Sequence, residues 1–537
     1  MKDHLVSLDF AVVQRNRFHV FLSGRLHELA GSIQKDWRSQ KYTFWGGIVL
    51  VLAILVTVCS FLNYPHPITT VDTASYFVSV RQLQATANPV HPWRLPVYPL
   101  FIVLMYAVAG QGNLMAVSIV QGALFVLTAL EFYILTALIL KRGWLAFLIS
   151  LFVSTNLILL SYSKPIMTEG LSLWLLTTLV LCAVYFAKTL RVRMLWLLSI
   201  CMLLLCFTRP EWLYFPILLY AYLFFLVIPR KDRRRLLPPI LVSVVAIYAL
   251  LGSYIAVNAL HNGFIGLSSV ENMNLLGKIL QYNMQDEAPA QYQYISRILD
   301  TFVAIGNRSP YQILHAVPEI KQNYSYFAIA IIVHHPGEFL LKSIPYTFSS
   351  LTYYFPAPQN PVPGLFYQPL TWLLSIHRVL YAGNVLFLPC ALVWILLLCW
   401  RRTRSASFVR NMGLVVLITL YELFITTLGG YFESDYTRFH TVFTPLIILT
   451  IWSLLFMSLL SVPLVGPFLG RRISRKSLNI RRVVEKAPAT EKGRDFTTSN
   501  QTAAYACAPA RVHLQGTVAL HRWCEHAASS QPLLPSQ

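Results

Sequence analysis

The chain has 537 residues, of which 56% are hydrophobic and only 12% charged, with 43 Lys and Arg against 22 Asp and Glu for a formal charge of +21. That composition excludes a soluble protein of several domains and implies an all-α polytopic membrane protein. The excess of positive charge does not describe a nucleic-acid surface, because the basic residues come in short clusters between apolar runs, where they orient a membrane protein.

Residues 1–43 form a polar to amphipathic arm carrying Lys2, Arg15, Arg17, Arg25, Lys35, Arg38 and Lys41. No cleavable signal is apparent in it, so it is expected to stay cytoplasmic with 44–62 as signal anchor. A bilayer core of about 30 Å takes about 20 apolar residues per helix. Runs of that kind follow at 44–62, 114–140, 144–162, 170–187, 194–207, 212–228, 236–257, 379–400, 412–430 and 440–460. About ten spans are expected, within a range of 10–12, with both termini inside.

The first outer loop, 63–112, contains VDTASYFVSVRQLQATANPVHPWRLPVYPLFIVLM. If 95–109 crossed the membrane, the later basic clusters would alternate between sides. If it lies in the outer interface, Lys141-Arg142, Lys188/Arg191/Arg193, Arg230 to Arg235, Arg401/Arg402/Arg404 and Arg471 to Lys476 all fall inside. Pro92, Pro96 and Pro99 also suit a short surface helix, with Trp93 and Tyr98 expected at headgroup level.

The same topology makes 44–257 an N-terminal membrane module and 258–375 one long outer loop. In that loop five basic residues stand against six acids, so it is not a basic patch. Its stretch YFAIAIIVHHPGEFLLKSIPYTFSSLTYY is apolar but broken by His334, His335, Pro336, Glu338, Lys342 and Pro345. Interfacial helices are expected there, a pair of spans being the alternative. Residues 376–461 form a C-terminal membrane module. The segment 462–537 begins basic, and from about Lys486 loses periodicity as expected of a disordered cytoplasmic tail. No cysteine falls in the long loop, which excludes a disulfide framework there, and no CxxC or HExxH spacing supports a metal.

Polar groups collect at the outer boundary: Asp72, Arg94, Lys164, Glu169, Arg209, Glu211, Glu433, Asp435 and Arg438. A lipid phosphate needs Arg or Lys donors, and an acceptor hydroxyl needs a carboxylate to take its proton. Asp72 a few residues after the first span, RLPVYPLF from Arg94, MTEGL from Met167, TRPE from Thr208, HHPGEFL from His334 and YTRF from Tyr436 together resemble the GT-C membrane glycosyltransferases. The branch they resemble holds the protein O-mannosyltransferases and the lipid A aminoarabinose transferase. The resemblance covers roughly 44–460, as an order of weak motifs on a matching topology.

That resemblance implies a hexosyl- or pentosyltransferase of the cell envelope, with a polyprenyl- or dolichyl-phosphate sugar as donor and a lipid, glycan or protein as acceptor. By position Asp72 would be the base and Glu169 the second acid, while Arg94, Lys164, Arg209 and Arg438 would receive the donor phosphate. A lone Glu169 replaces the paired acids of some members, so no metal or other cofactor is firmly implied.

Each residue also has a structural reading. Asp72 and Glu169 could cap the helices that follow them, and Arg209 and Glu211 could snorkel to headgroups. Arg438 could be an interfacial anchor, His335 interfacial structure, and the Glu433/Asp435 pair a solvated turn. An O-antigen polymerase or ligase, and a transporter or flippase of lipid-linked sugars, are the rival functions. A bacterial inner membrane, with the site facing the exterior, is the expected location.

Overall fold

Runs of Leu, Val, Ile and Phe bounded by Gly, Pro or Asn become helices in the computed structural model, which describes residues 42–352, 363–400, 403, 406–430 and 433–461. The arm before Tyr42 and the tail 462–537 lie outside the described residues, as does the side chain of Glu433. The helices are α1 Tyr42–Asn63, α2 Val71–Thr86, α3 Val97–Ala109, α4 Leu114–Leu140, α5 Gly143–Ser154, α6 Leu157–Ser161, α7 Glu169–Thr189 and α8 Val192–Cys206. A 3-10 turn, Pro210–Tyr214, leads into α9 Phe215–Tyr222, and α10 is Arg230–Asn262. The long loop contributes α11 Ser269–Gln281, α12 Gln293–Ala304, α13 Pro310–Ala316, α14 Tyr324–His334 and α15 Pro336–Thr352. The chain returns through α16 Tyr367–Ala382, α17 Phe387–Cys399, α18 Ser407–Gly429 and α19 Glu433–Ser461. Among the described residues there is no β-strand, only an isolated parallel bridge between Ile68 and Pro165.

The protein is an all-α, multi-pass membrane protein. Among the described residues, eight segments are long and apolar enough to cross a bilayer: Tyr42–Asn63, Leu114–Leu140, Glu169–Thr189, Pro210–Val227, Arg230–Asn262, Tyr367–Cys399, Ser407–Gly429 and Arg438–Leu459. The other two expected spans rest on shorter helices. The run at 144–162 is broken where Asn156 restarts the helix, its Oδ1 accepting from the N–H groups of Ile158 and Leu159. The run at 194–207 is the 15-residue α8.

Helix α3 has 13 residues and at 1.5 Å per residue extends about 20 Å, well short of the about 30 Å of a bilayer core. Tyr98 is fully buried, and its hydroxyl donates to Gln121 Oε1 at 2.7 Å, so its side chain faces protein and not lipid headgroups. In the long loop α14 and α15 meet at 97° around His335, so this stretch forms no straight span. Pro336 has no N–H to continue the helix.

A continuous apolar core joins α4, α7, α8, α18 and α19. The long loop has a second core of its own, including Leu276, Ile279, Ile295, Leu299, Ile313 and Phe327. It is therefore folded rather than a tether. Two hydrogen bonds fasten it to the first outer loop: Ser269 N–H donates to Pro92 O at 2.8 Å, and Ser268 Oγ donates to Trp93 O at 2.7 Å.

Candidate functional site

The first outer loop is held down before any charged group is placed. Ile68 exchanges backbone hydrogen bonds with Lys164 and Ile166, and Val97 N–H donates to Phe207 O. Gln121 of α4 is buried, and its Nε2 donates to Ser163 O at 2.8 Å and Pro165 O at 2.9 Å. These bonds bring the start of α2, the turn before α7 and the end of α8 to one level.

At that level Asp72 stands in the first turn of α2. It is not the cap, because the N-cap position belongs to Thr70, whose N–H donates to Thr73 Oγ1 at 2.8 Å. Freed from capping, the Asp72 carboxylate accepts from Arg94 Nη2 on Oδ1 and from Arg438 Nη1 on Oδ2, both at 2.5 Å. Arg94 is aimed by two more bonds, to Ser75 Oγ at 2.7 Å and Tyr76 Oη at 3.3 Å, and lies over the Tyr76 ring.

Glu169 opens α7 and does not cap it; Thr168 occupies the cap position. Only 2% of its side chain is exposed, and Oε1 lies 2.9 Å from Arg438 Nε and 3.9 Å from Arg209 Nη1. Its charge also suits the positive end of the helix. Arg209 does not snorkel. It is buried, its Nε donates to Glu211, and its guanidinium lies 4.6 Å from the Phe439 ring. The Arg438 guanidinium lies 5.0 Å from the same ring. Two cations are thus kept side by side by one aromatic ring and one carboxylate. Asp435, a turn before Arg438, adds a weaker contact at 3.8 Å.

The result is a line of alternating charges running Asp72, Arg438, Glu169, Arg209, Glu211. Burial alone would push the Asp72 carboxyl up, but the charges of Arg438 and Arg94 and their hydrogen bonds bring it down to about 2. That is the opposite of what a general base near neutral pH requires. Burial works against the charge of Arg209, and Glu211, Glu169 and Glu422 more than offset it. Within the line some bonding capacity is unused. Arg438 Nε, Arg209 Nη1 and Glu169 Oε2 are buried atoms with no hydrogen-bond partner among the described residues.

Two expected site residues lie elsewhere. Lys164 is buried, and its Nζ donates to Ser60 O at 2.8 Å and Tyr64 O at 3.0 Å, tying the end of α1 to the turn before α7. Burial lowers its ammonium to about 8. It is a structural clasp and not part of the arginine group. His335 contacts Glu287 at 3.7 Å on the long loop. With Glu338 these residues place ligand atoms within 4.8 Å of one another, as a metal would need. Glu338, however, is already paired with Lys342 at 2.7 Å.

Three groups beside the site are not apparent from local motifs. Glu422 of α18 is 1% exposed and faces Glu211 and Arg209. A lone acid inside an apolar span was the signal for it. From the long loop, Tyr311 lies within the field of Asp72, Arg94, Asp435 and Arg438. Glu271 faces Glu211. No short spacing in the sequence marks either.

No protein-family model and no curated protein matches the chain. Among solved structures it is similar to the archaeal oligosaccharyltransferase AglB from Archaeoglobus fulgidus in complex with an inhibitory peptide and a dolichol-phosphate, at 14% identity and a TM-score of 0.43, covering 84% of this chain and 53% of that one. It is also similar to an oligosaccharyltransferase from Archaeoglobus fulgidus tethered to an acceptor peptide, at 14% identity and a TM-score of 0.43, covering 78% of this chain and 50% of that one. The chain thus spans about half the length of the solved structures it matches.

Proposed function

We propose that the chain is a membrane glycosyltransferase that moves a sugar from a polyprenyl- or dolichyl-phosphate donor to an acceptor hydroxyl at the outer face. The observation that carries this reading is the pair of buried arginine donors, Arg438 Nε and Arg209 Nη1, that flank Glu169 with unused hydrogen-bonding capacity. They sit at helix ends opposite those followed by Lys141-Arg142, Lys188 and Arg230 to Arg235, the clusters that orient the chain. A lipid-borne phosphate at that boundary would find forked, charge-assisted donors already aimed.

Phosphate is a good leaving group once its developing charge is met, so preorganised cations do most of what the reaction needs. Arg438 and Arg209 take the phosphate oxygens in this reading. Asp72 aims Arg438 and Arg94, and Glu169 keeps the two phosphate-binding arginines from separating. The line of carboxylates keeps the arginines close together before the donor arrives. It also gives the phosphate a place to exchange into, since each oxygen it offers replaces a carboxylate contact.

The test is turnover of radiolabelled polyprenyl-phosphate sugars by the purified protein in lipid nanodiscs. Wild type is expected to release or transfer the sugar, and Arg438→Ala to lose about 10²–10³ of the rate, the scale for removing a preorganised charge-stabilising donor. Movement of the lipid-linked sugar across vesicles without any cleavage would replace this reading with a flippase.

A further inference from the structure

The apolar segment Tyr367–Cys399 is not one continuous α-helix. Helix α16 ends at Ala382, and a 3-10 turn, Gly383–Leu386, leads into α17. Facing it is another interrupted run, the one that Asn156 breaks between α5 and α6. Thr155 Oγ1 and His377 Nε2 lie 3.3 Å apart across the two, and Tyr381 Oη lies 2.9 Å from Thr444 Oγ1 of α19. Irregular backbone at membrane depth is tolerated where it is buried in protein or lines a cavity. A cavity of about 170 Å³ lies between these elements.

The cavity has a polar end and an apolar end. Thr444 is its lining residue on α19 nearest to Arg438, about 9 Å along the helix at about 1.5 Å per residue. The lining then follows one face of α19 through Ile448 and Trp452 to Leu455, about 17 Å further on. There Trp452 stacks on Phe152 with ring centroids 4.6 Å apart. Val379 and Leu386 also line it and are 74% and 48% exposed, so the cavity opens sideways from the bundle.

Several polar groups around it are engaged. Asn156 Oδ1 accepts from two backbone N–H groups, and Thr155 Oγ1 donates to Leu151 O at 2.7 Å. Asn384, in the 3-10 turn, is different. It lines the cavity and is 3% exposed, and its Nδ2 is a buried donor with no hydrogen-bond partner among the described residues. A buried donor left unmade carries its full desolvation penalty. Water needs two to four polar partners to stay in such a place, and a wall that is mostly carbon does not supply them. The complement of this wall is an apolar body that carries an acceptor oxygen.

We propose that this cavity binds an acyl chain of a membrane glycerophospholipid, with the ester carbonyl accepting from Asn384 Nδ2 and the chain running along α19 towards Leu455. The site is separate from the charged line and does not rest on the transferase reading. Its volume is close to the about 150 Å³ of an engineered apolar cavity that binds benzene, so it takes about six carbons of a chain. A polyprenyl chain has no oxygen below its phosphate to offer Asn384, and an acyl ester does. The polar end lies on the Arg438 side, which is where a lipid seated in this way keeps its ester. The chain packs against α19, the helix that carries Arg438.

The experiment uses the full chain in phosphatidylethanolamine/phosphatidylglycerol nanodiscs doped with a phosphatidylethanolamine that bears a photoactivatable diazirine close to one acyl ester. Crosslinked peptides are read by mass spectrometry. Labelling is expected to concentrate on 377–386 and 444–455, well above that of α1, a span that is largely unburied. Ile448→Trp, which fills the cavity, and Val379→Trp, at its exposed rim, should each remove this excess and leave the labelling of α1 unchanged. An ether-linked phosphatidylethanolamine, which lacks the carbonyl, should compete about tenfold more weakly than the ester lipid, the scale of one buried hydrogen bond. In Asn384→Leu the two lipids should compete equally. Labelling spread evenly over the spans, or unchanged in both tryptophan variants, overturns the proposal. Equal competition by ether and ester lipids in wild type also overturns it. Displacement of the probe by undecaprenyl phosphate at lower concentration than by the ester lipid gives the cavity to a polyprenyl chain instead.

Discussion

Arg438 Nη1 donates to Asp72 Oδ2 at 2.5 Å across 366 residues of chain. The other oxygen of the same carboxylate takes Arg94 at 2.5 Å. One side chain of the first outer loop thus anchors the last span, and the arrangement behaves as a unit: removing any member leaves a charge without its counterion.

Asp72→Asn should therefore damage both stability and turnover. Breaking one member out of a buried ion group costs about 3–5 kcal/mol, and partial exposure of Asp72 places it near or below the lower end. Arg438→Lys should fare little better than Arg438→Ala in turnover, because an ammonium cannot span Asp72, Glu169 and Asp435 as a planar fork does. Thermal melting in nanodiscs and donor turnover measure the two effects separately. Full activity in Arg438→Lys would show that a point charge suffices.

Acid should expose the Asp72 contribution. Its folded value of about 2 lies below the unfolded 3.8, so the stabilisation is complete above about pH 5 and is lost as pH falls through about 2. The size is roughly 2 kcal/mol, since each tenfold difference in proton affinity between the folded and unfolded chain is worth about 1.4 kcal/mol. Melting curves from pH 6 down to about pH 2 should show this loss in wild type and not in Asp72→Asn.

Lys164 predicts the reverse dependence. Burial holds its folded value at about 8 against 10.5 unfolded, so between those values the unfolded chain binds more protons and stability rises with pH. Lys164→Met should abolish that rise while leaving donor KM within about 3-fold, since the ammonium serves Ser60 and Tyr64 carbonyls. A tenfold increase in donor KM would return Lys164 to the phosphate site.

The length of α3 predicts a surface position for the turn after it. In a background without native cysteines, Gln111→Cys should react with a membrane-impermeant maleimide added from outside. Gln111 is exposed and bonded only to Gln84 at the other end of the first outer loop. Labelling from the cytoplasmic side alone would require α3 to cross.

Much of the helical layout is legible in the sequence because lipid imposes one demand, a long apolar run with its backbone bonds satisfied internally. The prolines before Tyr98 and the placement of basic clusters set α3 apart from the spans in the same way. Hydropathy does not show where Asn156 restarts a helix, since one capping side chain barely changes an apolar average. For the site, membrane depth assembled Asp72, Arg94, Glu169, Arg209 and Arg438 as neighbours in level, but it says nothing about which way a side chain turns. Lys164 shows the difference: its flexible four-carbon stem takes the ammonium to α1. Glu271 sits in a loop whose fold depends on its own distant core contacts, and no local pattern reports those.

The span from Asp72 to Arg438 also sets an order of events during synthesis. The segment carrying Asp72 is made long before the ribosome has reached Arg438, and Arg94 alone meets Asp72 in the interval. Until the final hydrophobic segment is inserted, Glu169 lacks Arg438, and the acids around Arg209 are Glu169, Glu211 and Glu422. A chain that stops short or inserts its last segment the wrong way round cannot complete the charged line, so the site doubles as a record that translation and insertion have finished.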